Sequence, residues 1–70
     1  MKYLVVIEET VNGYSAYSPD LPGCVAVGQS VEETERNIRE AIELHVEGLR
    51  AEGFEVPRPT TRSCWVEVAA

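Results

Sequence analysis

Three kinds of hydrophobic spacing succeed one another along this chain. Residues Lys2 to Glu8, KYLVVIE, are apolar without a break from Leu4 to Ile7 and rich in β-branched and aromatic side chains, which predicts a strand with neighbours on both sides. Asn12 and Gly13 follow, a pair suited to the positive φ angles of a type I′ hairpin turn, so Tyr14 to Ser18 is expected to return antiparallel. In the next stretch, SPDLPGC, Pro22 and Gly23 fit the two central positions of a type II turn, because proline presets φ and glycine accepts the left-handed corner. Cys24 to Gly28 then forms a third short strand.

The spacing changes at Val31. Thr34, Ile38, Ala41, Ile42, His45 and Leu49 fall on one stripe, with Glu32, Glu33, Arg36, Arg39, Glu40, Glu43, Glu47 and Arg50 on the other side, the pattern of a long amphipathic helix. Ser30 and Glu33 make a capping box at its start. Gly53 suits its C-terminal cap, and Pro57 and Pro59 prevent it from resuming. After the extended connector FEVPRPT, the segment Cys64 to Val68, CWVEV, alternates Cys64, Val66 and Val68 against Trp65 and Glu67, which reads as a fourth strand.

The order β-β-β-α-β predicts a single α+β domain over residues 1–70: a four-stranded mixed sheet in the order 3-2-1-4, with the helix across one face. The first strand is then central and the fourth lies parallel to it. Cys24 and Cys64, both expected to be buried and reduced, would sit on opposite edge strands roughly 14 Å apart, too far for a disulfide. One helix covers one face only. With Cys64, Val66 and Val68 turned to the helix and Glu8 opposite Tyr17, the uncovered face carries Leu4, Val6, Tyr17 and Trp65, rimmed by Lys2, Glu8 and Glu67. An aromatic patch of this kind marks a protein interface, so a partner or a second copy is expected.

Charge narrows the partner. A net charge of -6 argues against nucleic acid as a direct ligand, since phosphate binding needs a clustered basic face, and favours a basic protein. No apolar run is long enough to span a bilayer. The N-terminus lacks the apolar core and cleavage site of a signal peptide, which leaves a cytoplasmic location as the expectation. Asp20 has two readings, an acidic contact for a basic partner or an acceptor for turn amides. His45, alone on the apolar stripe, reads as a packed residue with no second histidine to share a metal. A metal-dependent nuclease would need carboxylates converging on a divalent ion, and Glu8, Glu40 and Glu67 come from elements that could in principle meet. Nothing in their spacing makes them converge, and no nucleophile motif surrounds any Ser, Cys or His. No catalytic residue, cofactor or metal is expected.

Taken together, the Asn12-Gly13 hairpin, Pro19-Asp20-Leu21-Pro22-Gly23-Cys24, Gly28-Gln29-Ser30-Val31-Glu32-Glu33, Glu40-Ala41-Ile42 and the Gly53 to Pro59 stretch make the chain resemble the HicB-like antitoxin family along nearly its whole length. The resemblance implies a domain similar to a truncated ribonuclease H fold, without nuclease activity. It also implies that the domain binds and neutralises a small basic toxin of the HicA type, which acts on messenger RNA. Many family members add a C-terminal DNA-binding domain, which this sequence is expected to lack. Besides a toxin-neutralising antitoxin acting by occlusion, two other readings stand: an orphan homo-oligomeric HicB-like module with an unrelated protein partner, and a degenerate nuclease.

Overall fold

The computed structural model describes residues 1–69. Three strands and one helix form in chain order: β1 (Val6–Thr10), β2 (Gly13–Tyr17), β3 (Val25–Gly28) and α1 (Val31–Ala51). The strands make one antiparallel sheet in the order β1-β2-β3. The α+β class, the chain order of these four elements and the 3-2-1 adjacency are as expected.

The turns carry local chemistry legible in their residues, with one exception. Ser18 to Leu21 closes through the Leu21 N–H donating to the Ser18 carbonyl, and Leu21 to Cys24 through the Cys24 N–H donating to the Leu21 carbonyl, both at 3.1 Å. Gly23 has φ 82°, the left-handed corner that a type II turn demands after Pro22. The hairpin between β1 and β2 differs from expectation. Thr10 pairs with Gly13, so the loop is Val11-Asn12, and neither residue has positive φ. Gly13 lies inside β2 instead, where a Cβ would run into the Gly28 carbonyl of the neighbouring strand. Its glycine is required by close approach, not by turn geometry. The register is consequently two residues from the expected one: Tyr17 faces Val6 and Glu8 faces Ser15. A shift of two keeps every side chain on its face.

Both helix ends are fixed as the sequence predicts. The Glu33 N–H donates to Ser30 Oγ at 3.1 Å, and the Gln29 N–H donates to Glu33 Oε2 at 3.1 Å. At the other end the Phe54 N–H reaches the Leu49 carbonyl and the Gly53 N–H the Arg50 carbonyl, with Gly53 at φ 76°. That pair of bonds is a Schellman motif, which a left-handed residue makes possible. The core lies between helix and sheet: Ala16, Leu21, Cys24 and Ile38 are buried, with Tyr3, Val5, Ile7, Ala26, Ala41, Ile42 and Val46 packed around them. Small side chains at Ala16, Ala26 and the fully buried Thr34 let the helix approach β2 and β3, and Asn37 Nδ2 ties it to the Val27 carbonyl at 2.8 Å.

The fourth strand is the main correction. Cys64 to Val68 pairs with no strand among the described residues, and every residue from Arg58 to Ala69 is exposed. The mixed four-stranded sheet, on which likeness to a truncated ribonuclease H fold depended, is therefore not completed within the chain, and β1 is an edge strand, not a central one. Cys64 is exposed where burial was expected, while Cys24 is buried. The physical reason lies in the path of the connector. Tyr3 Oη donates to the Pro57 carbonyl at 2.6 Å, and Thr60 and Thr61 are held by Asp20 on the β2–β3 loop. The connector thus runs from Tyr3, ahead of β1, to the β2–β3 loop before the CWVEV segment begins. The radius of gyration, 13.8 Å with a longest extent of 49 Å, exceeds the value of about 11 Å for a compact chain of this length. β1 is also shorter at its start than Lys2 to Glu8, because β2 ends at Tyr17 and Pro19 turns the partner strand away. Ser18 Oγ, donating to the Leu4 carbonyl at 3.0 Å, continues the contact.

Candidate functional site

The face of the sheet away from α1 is the candidate site. Tyr3, Val5 and Ile7 pack toward the core, so the alternation of an extended chain turns Leu4, Val6 and Glu8 the other way. Strand pairing then sets two rows across the sheet. Val6, Tyr17 and Val25 stand side by side, and Glu8, Ser15 and Val27 form the next row. Tyr17 is 41 %, Val25 66 % and Val27 69 % exposed, while Leu4 and Val6 are half-buried. An apolar row one residue deep thus crosses all three strands, with Glu8 beside it.

Leu4, Val6 and Tyr17 share this face as expected, Trp65 and Glu67 do not. Both stand on the extended C-terminal segment, and Trp65 is fully exposed. Val25 and Val27 belong to the face and were absent from the sequence reading. The signal was present in CVAVG: the small residues Cys24 and Ala26 alternate with the two valines, and where a helix must approach closely it is the small side chains that turn inward.

Asp20 does something neither reading foresaw. Its carboxylate accepts four hydrogen bonds from the C-terminal connector, two from backbone N–H groups (Thr60 at 3.1 Å, Thr61 at 3.0 Å) and two from hydroxyls (Thr60 Oγ1 at 3.2 Å, Thr61 Oγ1 at 2.7 Å). The bonds from Thr61, hydroxyl first, and then those from Thr60 hold its pKa below the ordinary value, because each favours the charged form. Asp20 is thus a clamp between the β2–β3 loop and residues that follow the helix. Burial pushes the Cys24 thiol up, which disfavours a reactive thiolate there. His45 is half-buried on the apolar stripe of α1. Glu8, Glu40 and Glu67 sit on three separate elements, and no group of three His, Cys, Asp or Glu side chains is placed to hold a metal among the described residues. No described helix is long and apolar enough to cross a membrane.

A second concavity lies on the helix side of the sheet, at the free edge of β1: a groove of about 600 Å³ between the N-terminal segment and α1. Its walls are Val5, Ile7, Ile38 and Ile42, and the exposed Glu35–Arg39 pair, 3.5 Å apart, stands at its mouth.

Residues 3–68 match the family described as HicB_like antitoxin of bacterial toxin-antitoxin system. The chain belongs to that family. Among curated relatives, a UPF0150 protein of Helicobacter pylori is 55 % identical over 67 % of this chain and 65 % of its own length. A UPF0150 protein of Synechocystis is 46 % identical over 80 % of this chain and 72 % of its own. An intergenic-region protein of Haemophilus phage HP1 is 38 % identical over 83 % of this chain but only 44 % of its own length. The chain therefore spans just under two thirds and under one half of two of these relatives. Among solved structures, a chain of the HicA3 and HicB3 toxin-antitoxin complex superposes with a TM-score of 0.73 at 37 % identity, over 86 % of this chain and 70 % of that one. The crystal structure of the antitoxin HicB3 gives 0.70 at 37 % identity, over 86 % of this HicB-like chain and 44 % of that one.

Proposed function

We propose that this HicB-like protein binds and neutralises a small basic toxin of the HicA type by occlusion, laying the uncovered sheet face over the toxin's working surface. The observation that carries the reading is the row Val6, Tyr17 and Val25, apolar and open to water in a chain of net charge -6. An acidic surround raises the encounter rate with a cationic partner, and desolvation of the apolar row holds the complex. The structural likeness to a chain of a HicA3–HicB3 complex supports the same partner class.

The test is RNA cleavage by a basic protein encoded next to this one, with and without the antitoxin. Cleavage should fall to background at stoichiometric antitoxin and should be restored when Val25→Asp and Val27→Asp are introduced together, since both side chains are exposed in the free protein. No complex and no inhibition would remove the proposal, and full inhibition by the double variant would remove the bare face as its site.

A further inference from the structure

Three irregularities of this fold fit one another. The first is the free edge of β1. That strand has β2 on one side only, so the backbone groups along its other side have no partner strand, a template for pairing with another chain. The second is the groove beneath that edge, walled by Val5, Ile7, Ile38 and Ile42. It exists because α1 packs most closely on β3 and least on β1, leaving the helix stripe unfilled where a further strand would lie. The third is the C-terminal segment, which alternates Cys64, Val66 and Val68 with Trp65 and Glu67 and is exposed throughout.

Its own β1 edge is not where this segment leads. Tyr3 holds Pro57 ahead of β1, and Asp20 holds Thr60 and Thr61 at the β2–β3 loop, away from the free edge of β1, and the residues that follow are exposed throughout.

We propose that Cys64–Val68 is a strand given to a second copy of this chain, where it pairs along the free edge of β1 and receives that copy's segment in return. Reciprocal exchange is self-complementary, as a two-fold dimer requires. The side-chain parity is set by the groove: Val5, Ile7, Ile38 and Ile42 accept Cys64, Val66 and Val68, whereas Glu67 turned inward would lose its water against those apolar side chains. Trp65 then faces outward next to Leu4 and Val6 of the receiving copy, which extends the bare sheet face across the dimer. The order 3-2-1-4 is completed between two chains, not within one. This exchange does not depend on the toxin reading, and its failure leaves that reading intact.

The experiment uses the full chain alone. Light scattering over a dilution series gives the mass, and Trp65, the single tryptophan, reports its own surroundings by its emission. The expected result is twice the mass of one chain with blue-shifted emission, both reverting together on dilution. Val66→Asp and Val66→Pro should each give single-chain mass and red-shifted emission with an unchanged helical circular dichroism signal, because Val66 is exposed in the single chain. Single-chain mass at every concentration overturns the proposal. With blue-shifted emission it would mean that the segment folds onto its own β1, and with red-shifted emission that it stays open for a different protein. A dimer that both variants leave intact also overturns it, since the subunits then meet elsewhere.

Discussion

The two edges of this sheet lie under one helix and are finished to different degrees. On the β3 side, two tight turns, the Ser30 cap and the Asn37 bond to Val27 fix the helix in place, and Leu21, Cys24, Thr34 and Ile38 are buried. On the β1 side, Val5, Ile7 and Ile42 are equally apolar but line an open groove. The difference lies in what holds each side. The β3 side is closed by contacts short in sequence, which cost little chain entropy to form, whereas closing the β1 side needs a strand from the distant C-terminus or from another chain.

Substitutions can break or sharpen that contrast. The largest effect is expected at Ile38, fully buried where the two sides meet: Ile38→Ala should lower unfolding free energy by about 2–5 kcal/mol in urea titrations, enough to populate the unfolded state in a domain this small. On the β3 side, Ser30→Ala removes the acceptor for the Glu33 N–H and should cost about 1 kcal/mol. In the groove, Val5→Ala deletes methyl groups that are only partly buried and should cost about 1 kcal/mol or less in the single chain. A cost that rises with protein concentration would show the groove filled by another chain. On the bare face, Val27→Lys should change stability by less than about 0.5 kcal/mol. A larger loss would mean that the face is already covered.

The smallest effect concerns the clamp that directs the C-terminal segment, and it is one of pH. Asp20 is held below its ordinary value of 3.8 when folded, so its bonds to Thr60 and Thr61 are fully in place above that value and are lost as pH falls through the lowered one. The Thr60 and Thr61 amide resonances should therefore hold steady from neutral pH to about the ordinary carboxylate range and shift only below it. In Asp20→Asn that transition should vanish.

Much of the fold could be read from residue types because the governing interactions are local. Ser30 and Glu33 cap the helix they were expected to cap, Gly53 ends it and Pro22-Gly23 turns the chain. Gly13 misled because a glycine needed for close approach to Gly28 looks the same in sequence as one needed for a turn. For the candidate site, Leu4, Val6 and Tyr17 followed from alternation, since a register error of two residues preserves the face. Val25 and Val27 did not, because their orientation depends on which side of β3 the helix approaches.

By itself the sequence determined the three strands, their order, the capped amphipathic helix and the acidic surface, since each follows from the periodicity or cap chemistry of neighbouring residues. Tertiary structure alone decided where CWVEV goes. Its alternation marks it as a strand, but a strand has no place until an edge accepts it, and four hydrogen bonds from residues forty positions apart to Asp20 tie the connector to the β2–β3 loop and lead it away from the β1 edge of its own chain.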